Sequence, residues 1–359
     1  MERVYTEKHC VVESPARPRV TFVWNEVNAY MAACWCQLQN TCELSIVSYP
    51  TKRPYDNNVV AAVNNHTLLA DSSFETLRSA VLAGKPDILV ICGWGKRTYR
   101  KLARERELAD ARLVLVIDTP WRDTWSQRLG SLLLNRFCNQ FLAVVIASDR
   151  GQIYSKRLGF NASQTMTGMY GIDYKSFRAG GEHRPNPWPK SFAYIGRYAS
   201  EKGINELVDG YKLYREMLTD PWPLDCYGSG PLASLLRVPG IVDHGFVQPN
   251  DLPNKLAHAG AFVLPSRYEP WGAVIAEAAA SGLPIITTSS CGASVDLVHH
   301  CFNGYVCASE GRSICDAFIW VHRNYGGLQS MGRSSQRFAE AYSAEAWASR
   351  WTELFYRIS

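Results

Sequence analysis

From residue 19 onward, short runs of β-branched and aliphatic residues alternate with longer stretches of helical period, and this alternation constrains the fold more than any other feature. RVTFVW, LSIVSY, DILVIC, RLVLVI and FLAVVIA read as strands; VNAYMAACWCQLQ, SFETLRSAVLAG, YRKLARERELA and TWSQRLGSLLLNRF between them read as helices. Such alternation winds a parallel sheet with helices on both faces. The rhythm pauses at residues 176–190, SFRAGGEHRPNPWPK, where Gly and Pro are frequent and no period is visible, which predicts an interdomain linker. A second set of strands follows in SFAYIG, PLDCYG, GAFVLP and PIITT. The predicted fold class is therefore α/β, with two Rossmann-like domains facing a cleft. Their bounds are 1–175 and 191–342, with 343–359 a final helix. That helix, SAEAWASRWTELFYRI, has a Ser cap and an apolar stripe of Trp347, Trp351, Leu354 and Phe355 that needs a partner surface.

At 359 residues the chain suits two domains, and 47% hydrophobic with 20% charged residues gives no sign of disorder. The apolar runs DILVICGW and FLAVVIA are far shorter than the ~20 residues that cross a bilayer. The leading residues MERVYTEKHC lack the apolar core of a secretion signal, so the expected location is the cytoplasm. Eleven irregularly spaced cysteines then read as reduced, buried small hydrophobes. Charge is uneven: residues 1–172 carry 21 Lys/Arg against 15 Asp/Glu, and the remainder 17 against 18. Lys96, Arg97, Arg100, Lys101 and Arg104 recur at helical spacing, as a solvated helix face or as a docking face for anionic lipid headgroups or an anionic acceptor. No nucleic-acid-binding module accompanies them, so nucleic acid is not expected as a partner.

The chemistry concentrates after the strands of the second half. In EPWGAVIAEAAASGLP, residues 269–284, Pro270, Trp271 and Gly272 break a strand and the following residues are good helix formers. Glu269 then precedes a helix mouth and Glu277 lies roughly 7 Å inside it. The backbone N–H groups of Ala273, Val274 and Ile275 are left between the two carboxylates, a layout that suits phosphate in the middle and hydroxyls at either end. Glu277 is placed to accept hydrogen bonds from a ribose diol. After SFAYIG, Gly196 lets the chain turn while Arg197 and Lys202 bring two cations near one point, for which a diphosphate is the natural partner. Gly228 opens a tight GSGP turn, and Phe246, Val247 and Gln248 can lay backbone along a flat base above Leu252. Glu269 also reads as a helix-mouth anion complementing the dipole, and Trp271 as packing.

Gly-Arg, Lys-Gly, Gly-x-Gly-Pro, a strand ending in Pro-Ser, Glu-Pro-aromatic-Gly and SSCGASVDLVHHCFNGYV follow one another in this order. The run resembles the retaining nucleotide-sugar glycosyltransferases of GT-B architecture, in the family 4-like group marked by Glu-x7-Glu. The likeness covers about residues 191–310 and is fainter before them. It implies that the first domain takes the acceptor and the second the donor, with the final helix crossing back to pack on the first. It further implies that Arg197 and Lys202 bind the donor diphosphate, that Glu277 holds the ribose, and that Glu269 meets hydroxyls of the transferred sugar. The backbone from Gly272 to Ile275 would touch sugar and phosphate. A nucleotide sugar, with UDP among the candidate carriers, and a sugar or glycolipid acceptor are the implied partners. The implied setting is bacterial polysaccharide or glycolipid assembly, peripherally at the inner membrane face.

No Asp-x-Asp occurs in the chain, so neither a metal clamp nor any other cofactor is expected. Transfer would rest on electrostatic stabilisation of the leaving nucleoside diphosphate, with the general base unassigned. The family's Gly-rich turn after the first strand is replaced by WNEVNAYMAACW, which leaves Asn25, Glu26 and Asn28 as residues of an acceptor or sugar pocket, Asn25 equally as a helix cap. Relatives place a polar residue after a later strand near the reacting centre. Here IDTPWRDTW makes Asp118 the catalytic-side candidate, with Arg122 behind it and ordinary turn chemistry as the other reading. Trp94, in GWGKR, joins the acceptor-side candidates. A nucleotide-sugar epimerase and a non-catalytic nucleotide-sugar binding protein are the rival functions on this architecture.

Overall fold

A computed structural model describes residues 17–51, 54–55 and 63–359; the leading MERVYTEKHC lies outside them. The first domain runs β1 (Arg19–Glu26), α1 (Ala29–Leu38), β2 (Glu43–Tyr49), β3 (His66–Leu68), α2 (Phe74–Ala83), β4 (Ile88–Cys92), α3 (Arg97–Leu102), β5 (Arg112–Ile117), α4 (Trp125–Cys138), β6 (Ala143–Ile146), α5 (Gln152–Arg157) and β7 (Thr165–Thr167). The second runs α6 (Tyr174–Glu182), β8 (Phe192–Ile195), α7 (Ile204–Met217), β9 (Leu224–Tyr227), β10 (Ile241–Asp243), α8 (Leu252–Ala257), β11 (Ala261–Leu264), α9 (Ala273–Ala280), β12 (Ile285–Thr288), α10 (Gly292–Leu297), β13 (Gly304–Cys307), α11 (Gly311–Arg323) and α12 (Leu328–Glu340), before α13 (Ala344–Ile358).

Both sheets are parallel throughout, in the orders β3-β2-β1-β4-β5-β6-β7 and β10-β9-β8-β11-β12-β13. Strand order reverses beside β1 and beside β8, and the loops leaving the C-terminal strand ends there part to form a crevice. The two sheets face one another across that crevice, as the alternating pattern predicts. Four strands were not legible as runs: β3, β7 and β10 are only three residues long, and β13, GYVC, begins on a glycine.

Two further readings are corrected. YRKLARERELA is not one helix: α3 stops at Leu102, and a separate turn at Arg106–Leu108 is capped by Glu105. The five cations of that region therefore do not share a helix face. The Lys96 ammonium lies 3.2 Å from the centroid of the Tyr49 ring, and that of Lys101 lies 3.7 Å from that of Phe74. Residues 176–190 are not free of helix, because Asp173 caps α6 through Ser176 N at 3.1 Å and α6 buries Tyr174 and Phe177. Its glycines read as linker but serve close packing: a Cβ on Gly180 would sit 2.8 Å from Pro253, and one on Gly181 would sit 2.3 Å from the Ser281 carbonyl oxygen. Accordingly α6 packs on α8 and α9 of the second domain.

The final helix crosses back. Ser343 caps α13 through Ala346 N at 3.2 Å, and Ile172 pairs with Ser343 as an isolated parallel bridge. Trp347, Trp351, Leu354 and Phe355 are buried against α1 and the first sheet, with Trp351 5.1 Å from Phe22 between ring centroids. The described cysteines are free thiols and mostly buried, with Cys301 exposed. Among the described residues no helix is long and apolar enough to cross a membrane.

Candidate active site

Between the domains lies a cleft of about 540 Å³. Backbone-to-backbone contact shapes its floor in the second domain. Gly196 donates its N–H to the Tyr227 carbonyl at 3.0 Å, and Gly228 donates to the Gly245 carbonyl at 2.8 Å. Gly228 holds φ +155°, and a Cβ there would lie 1.9 Å from the Gly196 carbonyl oxygen, so the loops after β8 and β9 meet only because glycine stands at this point. The Tyr194 hydroxyl donates to the Arg197 carbonyl at 2.9 Å and secures the same turn.

Both cations line the cleft, in different states. The Lys202 ammonium is ion-paired with Glu269, the two side chains being only 18% and 12% exposed. The Arg197 guanidinium pairs with Glu201 and is 64% exposed, so it stands at the rim. Gly272 takes φ +97° as the N-cap of α9, directing the helix mouth at the Lys202–Glu269 pair. Ala273, Val274 and Glu277 of that helix also line the cleft, and Glu277 is buried on a helix otherwise made of Ala, Val and Ile. Val247, Gly196 and Gly228 complete the donor-side residues named from sequence. Ile275 departs from that set: its side chain is buried, it does not line the cleft, and its N–H donates to the Gly272 carbonyl at 2.9 Å. The first turn tightens and removes one of the three N–H groups expected for phosphate.

The loop that carries Glu269 is fixed from behind. Gly292 donates to the Glu269 carbonyl at 3.1 Å and Ala293 to that of Trp271 at 2.8 Å. Trp271 is 1% exposed, stacks on Tyr170 at 5.4 Å and donates its indole N–H to Asp296 at 3.0 Å. Burial pushes the Asp296 carboxyl up to about 6 against that hydrogen bond, and the negative Asp149 of the first domain adds to the rise. Burial also raises the Tyr170 hydroxyl well above its ordinary value, with Asp118 contributing.

On the first-domain side, Asp118 lines the cleft with Ala29, Tyr30, Pro54, Tyr55 and Tyr170. The other acceptor-side candidates lie outside its lining. Asn25 is the penultimate residue of β1 and accepts from the Tyr99 hydroxyl at 3.1 Å; it is not a helix cap, since Asn28 takes the N-cap position of α1. Glu26 closes β1, and Asn28 donates to the Tyr30 hydroxyl at 3.1 Å, one step removed from the cleft. Trp94 packs edge-on against Tyr154 at 5.7 Å, and Arg122 reaches over the Tyr268 ring of the other domain at 4.8 Å. Phe246, named from sequence as part of a flat base, lines the cleft as well, whereas Tyr30, Tyr55 and Tyr170 were not named. Tyr30 opens the helix after β1 and position alone pointed to it. Tyr170 lies in the segment between the domains and reaches the cleft through tertiary packing, for which no local signal exists. Among the described residues no group of three or more His, Cys, Asp or Glu is arranged to hold a metal ion.

A profile of the family "Glycosyl transferases group 1" matches residues 189–324, which span α9 with Glu277, Glu269 ahead of it and the loops of Arg197, Lys202 and Gly228. The second domain thus carries the sequence pattern of group 1 glycosyl transferases, and the fold of the chain is GT-B. It is 31% identical over 118 residues to glycogen synthase of Mycobacterium tuberculosis, covering 30% of this chain and 27% of that one. It is 32% identical over 124 residues to 2-deoxystreptamine N-acetyl-D-glucosaminyltransferase of Niallia circulans, covering 31% and 30%. The matched stretch thus spans less than a third of each of these relatives. The fold likeness covers far more: Anabaena HepE, solved in complex with UDP and glucose, superposes with a TM-score of 0.75 at 14% identity over 95% of this chain and all of that one. Outside residues 189–324, what this chain shares with the solved structure is architecture more than residues.

Proposed function

We propose that the chain is a retaining, metal-independent glycosyltransferase that moves a sugar from a nucleoside-diphosphate donor to a hydroxyl acceptor during glycan assembly. One observation carries this reading: Lys202 and Glu269 form a largely buried pair at the mouth of α9, and Glu277 lines the same cleft one turn further in. A diphosphate entering there meets the Lys202 ammonium, the N–H groups of Ala273 and Val274 and the positive end of the helix. Arg197 exchanges Glu201 for phosphate oxygens, and Glu269, released from Lys202, turns to sugar hydroxyls while Glu277 holds the ribose.

Departure of the nucleoside diphosphate is then helped by fixed positive charge in a confined cleft, and the acceptor hydroxyl attacks from the same face. Asp118, Tyr30 and Tyr170 border the space where the acceptor would lie. HepE, solved with UDP and glucose, supports UDP as the first carrier to try. The excess of Lys and Arg in residues 1–172 supports an acceptor presented at an anionic membrane on its cytoplasmic side.

The test is thermal stabilisation by UDP, GDP, ADP and TDP, followed by turnover of the matching sugar donors. Stabilisation by one of them, with donor turnover lost in Glu269→Ala while affinity for the nucleoside diphosphate remains, supports the proposal. Stabilisation without transfer or donor hydrolysis would leave a binding protein, and stabilisation by none would refute the site.

A further inference from the structure

Helix α4 turns its apolar residues outward. Trp125, Leu129, Leu132 and Leu133, spaced i, i+4, i+7 and i+8, are 82%, 61%, 74% and 73% exposed, whereas Ser131, Phe137 and Cys138 face inward. No acidic side chain occurs on the helix. Arg136 shares the outward face and, with Arg104 from beyond α3, borders a depression at the C-terminal end of α4. The neighbouring α5 packs beside α4 and exposes Ile153, and Lys156 and Arg157 occupy its last turn. At the Trp125 end, half-exposed Asp123 is ion-paired with Arg128, and the other charged neighbours of the stripe, Arg136 on α4 and Lys156 and Arg157 on α5, are cations. An apolar stripe with a Trp at one end and such a border has the composition of a helix that lies in a bilayer interface.

We propose that the outer face of α4 is a docking surface for an anionic phospholipid bilayer. Charge complementarity selects this occupant: two copies of the face would set cations against cations, whereas anionic headgroups neutralise them as the leucines enter the acyl boundary. At about 21 Å, α4 is long enough to lie in the membrane plane and too short to span it. Its position links it to the cleft. The loop that enters α4 begins at Asp118 in the cleft lining, and Arg122 of the same loop stacks on Tyr268 of the second domain. A docked α4 therefore holds the cleft mouth beside the headgroups. On the transfer reading, it hands the enzyme an acceptor carried in the membrane.

Flotation with vesicles of phosphatidylcholine alone, and with roughly a third phosphatidylglycerol, tests this directly. The protein should float with the anionic vesicles and not the neutral ones. Leu132→Ser with Leu133→Ser should lower the bound fraction about tenfold or more per leucine. Arg136→Ala should lower it about fivefold and flatten its salt dependence. Should the double variant lose its cooperative melt, Trp125→Ser, at a side chain too exposed to hold the fold, makes the same test. Failure of the unmodified protein to float, flotation of the variants like the parent, or a solution dimer that Leu132→Ser with Leu133→Ser dissolves would each overturn the proposal. Because flotation reads binding without turnover, its outcome is independent of whether the cleft transfers sugar.

Discussion

Asp296→Asn offers the sharpest test of how the active-site loop is supported. The Asp296 carboxylate accepts the indole N–H of Trp271 at 3.0 Å, with Tyr342 beside it and Asp149 facing it from the other domain. Burial holds its pKa near 6 against an ordinary 3.8. The native state thus keeps the proton over a range in which the unfolded chain has lost it, so stability falls as pH rises from about 4 to 6. Two units correspond to about 3 kcal/mol, and the group's residual exposure brings the expected loss to about 2 kcal/mol. Asparagine keeps the acceptor for Trp271 and cannot ionise. The stability difference between variant and parent should therefore shift by about 2 kcal/mol in favour of the variant between pH 4 and pH 7.5. Urea unfolding at closely spaced pH values, followed by tryptophan fluorescence, reads it. A difference that stays constant to within about 0.5 kcal/mol would refute the buried, proton-linked support of Trp271.

The remaining expectations concern packing and charge. In a double-mutant cycle, Lys202→Met and Glu269→Gln should each cost about 2 kcal/mol while the pair together costs little more than either alone, because each single change strands a largely buried partner; additive losses in urea unfolding would contradict the coupling. Gly228→Ala should destabilise by about 3 kcal/mol and abolish the melting shift with nucleoside diphosphate, since its Cβ would displace the Gly196 loop. Trp351→Ala should cost about 3–5 kcal/mol, visible as faster amide exchange in α1 and β1; unchanged exchange there would show that α13 does not support the first domain.

Much of the cleft wall in the second domain was legible because its signals are local. Gly272 must take positive φ to start α9, Gly228 must lack a Cβ to let two loops touch, and Glu277 is conspicuous on a helix of Ala, Val and Ile. Of the first-domain candidates, only Asp118 lines the cleft. Asn25 and Trp94 sit at strand ends that point toward the cleft region, yet their side chains are engaged with Tyr99 and Tyr154. The basic run at 96–104 suggested one charged face, but Lys96 and Lys101 fold back over aromatic rings, and the apolar stripe of α4, read only as a helix, turned out to face solvent.

Periodicity and glycine placement determined, from sequence alone, two parallel α/β domains, an amphipathic terminal helix in need of a partner and the glutamates flanking a helix mouth, because each depends on neighbours a few residues away. Tertiary structure decided which surfaces meet: that α6 packs through its glycines on α8 and α9, that Tyr170 stacks on Trp271, and that Lys202 pairs with Glu269 across 67 positions. Those contacts depend on how two sheets and their loops come together, and no local pattern encodes the distance between residues so far apart in the chain.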